Sequence, residues 1–308
     1  MVRLMEDIKD LSVEAERELA RTFMGRIEWE MIVIGLLQFV VWIACWVLVI
    51  NGTLALWEGF LLSVFTTAFA YLPSHAGQHG HLSGGDKNKE WLNFWIGQIS
   101  LIPLSQSHDI LKATHLKHHA HTNDPEKDPD FYHTHVDSLW KVAKNVNNSY
   151  NENGKVQEII RDYAEKDPKF AQSIAEGSKW SILFYFSKIV LVLNFPLETL
   201  FLWWLPGKII QIYLGVVFSH LPHRSLEPGR YKDTKFWTNG IPRFFNHSMQ
   251  IHVMHHMYPK ICHFDEPKAI EALKPFMIER GIPGADKIPE NLRYNPCLLY
   301  TSDAADDP

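Results

Sequence analysis

The sequence predicts an all-α membrane protein of about four transmembrane helices in two hairpins, with a cytosolic helical cap that carries the chemistry. Three observations lead there: the apolar residues are bunched into long runs, the charged residues fill the segments between them, and much of the histidine complement falls in three short strings. The mean hydropathy of −0.14 hides this arrangement, because charged connectors offset apolar runs in the average.

Met1 to Arg26 alternates acids, bases and apolar residues with helical spacing, and reads as a cytosolic leading helix rather than a signal peptide. Met31 to Ile50 gives 20 residues without a charge, the length needed to cross a hydrocarbon layer of about 30 Å. After Asn51-Gly52-Thr53, a second run of 19 residues extends from Leu54 to Leu72 with one acid, Glu58, close to the turn. Trp29, Trp46 and Trp57 stand near the expected ends, where amphipathic rings favour the headgroup layer. Trp91 to Leu104 is apolar over only 14 residues, which suits an interfacial or re-entrant helix. The block from Trp180 to Leu221, 42 residues, accommodates two more spans, with the turn at Asn194-Phe195-Pro196 or at Pro206-Gly207-Lys208. Lys188 and Lys208 within it must snorkel or face protein.

With an even number of spans, both termini and the segment from Ser74 to Lys179 share one side. The Asn51 turn carries no Lys or Arg and the long segments carry most of them, so the positive-inside rule places that side in the cytoplasm. One membrane domain is expected over residues 1–296, with spans at about 31–50, 54–72 and two within 180–221. Residues 297–308, CLLYTSDAADDP, change character abruptly and read as a non-native tail outside the functional chain.

A formal charge of −5 offers no basic face for nucleic acid. Cys45, Cys262 and Cys297 form no CxxC pair, so neither a disulfide framework nor a thiolate metal site is indicated. The informative residue is histidine, with 17 copies. His75-Ala-Gly-Gln-His79, His115-Leu-Lys-His118-His119 and His252-Val-Met-His255-His256 place imidazoles at i, i+3 and i+4, on one face of a helix. At this composition HxxHH should arise by chance roughly 0.05 times in such a chain, and it occurs twice beside one HxxxH.

Eight imidazoles exceed the needs of one metal ion and suit two ions of five or six coordination with positions left open. A zinc protease needs the glutamate of HExxH, and no string contains an acid. The carboxylate-rich di-iron bundle needs Glu-x-x-His, which occurs nowhere in the chain. Imidazole alone does not choose among iron, zinc, copper and nickel. A site beside apolar spans with open positions suits oxygen activation on apolar substrates, which favours iron.

The order HxxxH, HxxHH, HxxHH, with the first string just after a span and the third in the cytosolic tail, resembles the membrane fatty-acid desaturase superfamily. That superfamily includes fatty-acid desaturases, lipid hydroxylases and carotenoid ketolases. The resemblance extends over about Met31 to Pro296 and implies two non-haem iron ions, molecular oxygen as oxidant and an external electron donor of ferredoxin or reductase type. It also implies a further ligand from the end of the last span, and the matching segment is Phe218-Ser-His-Leu-Pro-His223-Arg, which makes His223 the ninth expected ligand beside His75, His79, His115, His118, His119, His252, His255 and His256. Acyl-CoA desaturases carry an asparagine four residues ahead of that histidine; here the position is Ser219.

Around these, His81, His121 and His220 are expected to lie behind the ligands. Asp124, Asp128 and Asp130, in the acidic continuation of the second string, are expected to orient ligand imidazoles. That continuation, HHxHxxxDxxxDPD, and Leu-Pro-His-Arg also resemble carotenoid ketolases and hydroxylases. His108, His133, His135, His247 and His263 are expected to be structural. No catalytic residue outside the metal shell is required. The expected activity is oxygen-dependent desaturation of acyl chains of lipids, the alternative being hydroxylation or ketolation of a carotenoid or other long apolar lipid. A histidine-rich membrane zinc protein and a metal transporter are more distant alternatives; a transporter's sites should lie at mid-membrane, whereas these strings lie outside the spans.

Overall fold

A computed structural model of the chain describes residues 10–149, 151, 153–238, 242–290 and 292, so the start of the expected leading helix, Cys297 and the 297–308 tail lie outside the described residues. The described chain is built from helices and turns, joined by one isolated antiparallel bridge between Met24 and Ile261.

Helix α1, Val13–Arg21, begins at Ser12, whose hydroxyl accepts the Ala15 N–H, with Glu14 and Glu16 in the first turn and Arg21 in the last. Each of these matches the helix dipole. Helix α2, Trp29–Ile50, has 22 residues and so reaches about 33 Å. It covers the expected first span. Its residues Trp29, Val33, Leu37, Val40 and Val47 are each more than half exposed, and their spacing of three to seven residues draws one apolar stripe along the outside, the surface a lipid-facing helix presents. The opposite face is tied inward by Gln38 Nε2 donating to the Ser100 carbonyl at 3.0 Å and Trp42 Nε1 donating to the Leu202 carbonyl at 2.9 Å.

The chain reverses at Asn51-Gly52-Thr53, where Asn51 Oδ1 accepts the Thr53 N–H and Gly52 adopts φ 77°. Helix α3, Leu56–Ala68, packs back against α2, with the Glu58 carboxylate accepting the Ala55 N–H at 2.8 Å. Their close approach depends on Gly59, where a Cβ would stand 2.4 Å from Val49 Cγ2. The expected continuous span from Leu54 to Leu72 is interrupted: α3 stops after 13 residues and helix α4, Tyr71–Gln78, restarts beyond a turn. Pro73 lacks the N–H that Phe69 would receive, and its ring crowds that carbonyl.

Helix α5, Glu90–Ser100, and the short 3-10 turn Ile102–Leu104 replace the expected apolar segment 91–104, and α5 packs against α2 and α4. Helix α6, His108–His121, is followed by α7, Phe131–Thr134, α8, Leu139–Asn148, and α9, Lys155–Lys166. Helix α10, Pro168–Asn194, starts at Asp167, whose carboxylate accepts the N–H groups of Lys169 and Phe170. Helix α11, Pro196–His223, then runs for 28 residues, joined to α10 at Asn194-Phe195-Pro196; of the two spans expected within 180–221, it covers one. Lys188 on α10 lies over the Trp203 ring of α11 at 5.2 Å.

Among the described residues, α2 and α11 are the helices both long enough and apolar enough to cross a bilayer. Helix α10 has the length, yet Lys169, Glu176 and Lys179 occupy its first half. Within α11 the ladder widens to π geometry at Leu200–Trp204 and Gly215–His220. The last helices, α12, His252–Met257, and α13, Glu266–Glu279, close over α1 in an apolar cluster that includes Ile251, Met254, Ile261, Ile270, Leu273 and Phe276.

Candidate metal centre

The four segments that carry the expected ligands meet at one end of the helices. Helix α4 holds His75 and ends on His79; α6 holds His115, His118 and His119; α12 holds His252, His255 and His256; α11 ends on His223. Gly77 lets α4 lie against α5, since a Cβ there would stand 2.5 Å from the Asn93 carbonyl oxygen. Ser74 Oγ lies 2.9 Å from His108 Nδ1, fastening α4 to the start of α6.

Two groups of imidazoles result. His75, His79, His115, His119 and His255 offer ring nitrogens within 4.8 Å of one another, and so do His118, His223 and His256. In the first group the Nε2 atoms of His79 and His115 are 2.9 Å apart, those of His115 and His119 3.1 Å, and those of His119 and His255 3.0 Å. The groups adjoin, with the rings of His119 and His256 stacked at 4.3 Å. His252 stands between them, its ring 5.1 Å from His255, 4.8 Å from His256 and 5.6 Å from His223.

Nine histidines expected to act together thus share one buried site. His75 Nε2, His223 Nε2, His256 Nε2 and His252 Nδ1 are buried without a hydrogen-bond partner, an arrangement costing about 1–3 kcal/mol per atom unless a cation or water takes the lone pair or proton. An all-imidazole donor set at this spacing is compatible with bound metal ions.

Burial holds His75, His79, His115, His119, His252, His255 and His256 well below the ordinary imidazole pKa, with neighbouring imidazoles adding to the effect. They are therefore neutral and their lone pairs available. His118 differs: burial opposes its charge, but Asp128, helped by Asp130 and Asp233, pushes it up to about 9. The Asp128 carboxylate receives the His118 Nδ1–H at 2.8 Å, so Nε2 is the atom a metal ion could take, in place of the second proton that the imidazolium carries there.

The outer residues divide. Asp128 also accepts the backbone N–H of Asn123 at 2.8 Å, so its carboxylate is held at both oxygens. His223 Nδ1 donates to the Asp233 carbonyl at 2.9 Å, and Asn123 Nδ2 donates to the same oxygen. Asp130 acts on His118 through its field alone, its carboxylate lying 3.5 Å from the Ser219 hydroxyl. Asp124 does not reach a histidine of either group; it accepts the Glu126 N–H and pairs with Lys127, closing the turn after α6. His121 turns to Tyr163, with ring centres 6.2 Å apart, because it follows the ligand face of α6 by two residues. His220 bonds the Thr134 carbonyl at 3.0 Å. His81 is bonded at both nitrogens, to Glu28 at 3.2 Å and to the Pro259 carbonyl at 3.0 Å, and so joins the segment after the first string to that after the third.

Sequence reasoning missed two buried carboxylates. Glu266 lies 3.7 Å from His255 Nδ1 and 3.1 Å from His263 Nδ1, so His263, expected to be merely structural, stands behind a ligand position. The His263–Glu266 spacing of i, i+3 was the available signal. Glu28, which closes over His81 and accepts the Phe264 N–H, stands at the threshold of the first apolar run, where an acid reads as a helix-start residue. Glu28, His81 and Cys262 also lie within 4.8 Å of one another, but their polar atoms are engaged within the protein, Cys262 Sγ with the Arg26 carbonyl.

No curated protein matches the chain. Residues 51–284 match the family model described as fatty acid desaturase, a stretch that contains all three histidine strings and His223. The chain belongs to the fatty acid desaturase family.

Proposed function

We propose that the protein is a multi-pass membrane oxidoreductase that uses two iron ions and molecular oxygen to desaturate acyl chains of lipids. The observation that carries this reading is the convergence of eight imidazoles, with no carboxylate among them, into two adjoining groups of five and three, and of a ninth, His252, between the two. The all-imidazole donor set supports metal binding; the choice of iron over zinc rests on the family's oxidative chemistry. His75, His79, His115, His119 and His255 would hold one ion and His118, His223 and His256 the other, with His252 between them.

When bound, the irons supply the reduction of oxygen to two waters, using two hydrogens of the chain, two external electrons and two protons. The protein's own part is to position and exclude. Asp128 and the Asp233 carbonyl fix the ring orientations of His118 and His223. Seven of the nine rings are buried, which limits the water that reaches them. The electrons come from a separate ferredoxin- or reductase-type donor, and an open hollow of about 820 Å³ bordered by His79, His119, Lys112 and Lys260 supports its approach from that side. The apolar outer stripes of α2 and α10 support immersion, and the basic residues of the connecting segments support a cytoplasmic location for the histidines.

Metal analysis of the purified protein, with product analysis under oxygen and under argon, tests this reading. Two irons per chain and oxygen-dependent new double bonds are expected. Zinc at full occupancy with oxygen-independent turnover would overturn it.

A further inference from the structure

The segment 242–248, between α11 and α12, reverses the pattern of a loop that faces water. Phe244 and Phe245 are 56% and 61% exposed, whereas Arg243, Asn246 and His247 are buried. In water the opposite arrangement is favoured, because apolar surface is driven inward and a charge or amide outward. The backbone is turned in on itself as well. The carbonyls of Pro242, Arg243, Phe244 and Asn246 accept the N–H groups of Phe245, Ser248, His247 and Met249, and the Phe245 carbonyl accepts the Tyr213 hydroxyl of α11. Bonding of this kind removes the penalty of several kcal/mol that a free backbone group meets in hydrocarbon.

Its neighbours belong to the apolar helices. Phe69, the residue after α3, lies 5.6 Å from the Phe244 ring and 5.2 Å from His247, and Tyr213 and Phe218 of α11 lie 5.8 and 5.9 Å from His247. The level of Phe69 follows from the way α3 runs back along α2. Cys45 of α2 meets Gly59 and Ser63, its sulfur 3.3 Å from the Gly59 carbonyl and 3.7 Å from the Ser63 hydroxyl. Gly35 meets Pro73, since a Cβ there would stand 2.9 Å from the proline Cβ. Phe69 therefore stands between the levels of Cys45 and Gly35, inside the charge-free run from Met31 to Ile50. At that level Leu37 and Val40 on the outside of α2 are each more than half exposed. Trp57, Leu61 and Phe65, also more than half exposed, form a row at i, i+4 and i+8 along α3 that ends beside Phe69, with Phe65 5.2 Å from it.

We infer that this segment dips into the bilayer and that Phe244 and Phe245 insert among the acyl chains of the leaflet beside the histidines. Lipid is the occupant of this surface because the two rings continue the outward apolar row of α3 at a depth where α2 faces hydrocarbon. The inference rests on the reading of α2 as a membrane span and does not depend on the reaction at the centre. Ser248 leads through the 3-10 turn Met249–Ile251 into α12. The third histidine string, expected in a cytosolic tail, is thus reached from a membrane anchor four residues before His252.

Nitroxide labels read by power-saturation electron paramagnetic resonance test this on the full-length protein in lipid nanodiscs. Cys45 and Cys262 are buried, so on a Cys297→Ser background the label attaches to one introduced thiol at a time. Phe244→Cys and Phe245→Cys probe the segment, Leu37→Cys is the lipid reference, and Lys166→Cys, at a side chain 70% exposed, is the water reference. Oxygen concentrates in hydrocarbon and a neutral nickel chelate in water. The logarithm of the oxygen-to-nickel accessibility ratio should be positive at Leu37, Phe244 and Phe245 and negative at Lys166, with circular dichroism and melting temperature at wild-type values. If one phenylalanine variant fails to fold, its neighbour carries the test. A negative value at the phenylalanine positions beside a positive one at Leu37 overturns the inference, as does low accessibility to both reagents, the result expected if a protein chain covers them. A negative value at Leu37 would overturn the reading of α2 as a span and this inference with it, whereas the desaturase reading stands or falls on product analysis.

Discussion

His118, His223 and His256 each have a polar group behind them: the Asp128 carboxylate at 2.8 Å, the Asp233 carbonyl at 2.9 Å and the Thr122 hydroxyl at 3.5 Å. His75, His79, His115, His119 and His255 do not share that support, their nearest outer carboxylate being Glu266, 3.7 Å from His255. The smaller group is oriented by hydrogen bonds from outside; the larger is oriented by the packing of α4, α6 and α12 against one another. A site with five imidazoles tolerates loose orientation of any one of them, because the others define the position. With three, each ring has to be aimed.

This contrast can be broken in order of effect. His119 touches both groups, lying 3.0 Å from His255 through its Nε2 and stacked on His256 at 4.3 Å. His119→Ala should therefore disturb both positions and lower metal affinity and turnover by about 100-fold or more; unchanged metal content and unchanged turnover would end the assignment. His223→Ala removes one of only three rings in the smaller group. It should lower the metal content from about two per chain to about one, measured the same way, with the larger group still filled.

Asp128→Asn keeps the shape but loses the charge that holds the His118 Nδ1–H. A loss of about 10–100-fold in metal affinity or turnover is expected, confined to the three-histidine group, and equal loss from both groups would show that the two are not supported separately. Gly77→Ala works through packing instead: its Cβ must push the Asn93 backbone or tilt α4. It should lower stability by about 1–3 kcal/mol, read as a fall in melting temperature, and disturb the five-histidine group first. His121→Ala should change activity less than about two-fold, since its ring faces Tyr163. A large effect there would mean that the turn after α6 serves the centre directly.

Much of the site is local and could be read along the chain. A spacing of i, i+3 and i+4 aims imidazoles to one side whatever surrounds the helix, so the three strings identify themselves. Met31 to Ile50 likewise reads as a helix because length and uniform apolarity leave few alternatives, and α2 follows it within two residues. The run from Leu54 to Leu72 looked equally apolar, yet Pro73 at its far edge breaks the backbone ladder and turns α4, with His75, away from α3. Hydropathy averages do not register that break.

The partners that stand behind the ligands are not local. Glu28 and His81 are 53 positions apart, and Asn123 reaches Asp233 across 110. Asp124, Asp128 and Asp130 look alike in sequence, and only the turn after α6 decides that Asp128 meets His118 while Asp124 closes a turn. His220 and His223 sit one turn apart on α11, and the π widening at Gly215–His220 sets the phase on which His223 enters the histidine group and His220 meets Thr134.

The sequence by itself determined that eight histidines would be presented in three clusters beside apolar helices, because helix periodicity and the cost of charge in hydrocarbon act on neighbouring residues; His223 came only with the family resemblance. The tertiary structure alone decided how the rings divide five and three and which carboxylate backs which imidazole. Those outcomes depend on contacts between segments tens to hundreds of residues apart, whose geometry follows from how the helices pack.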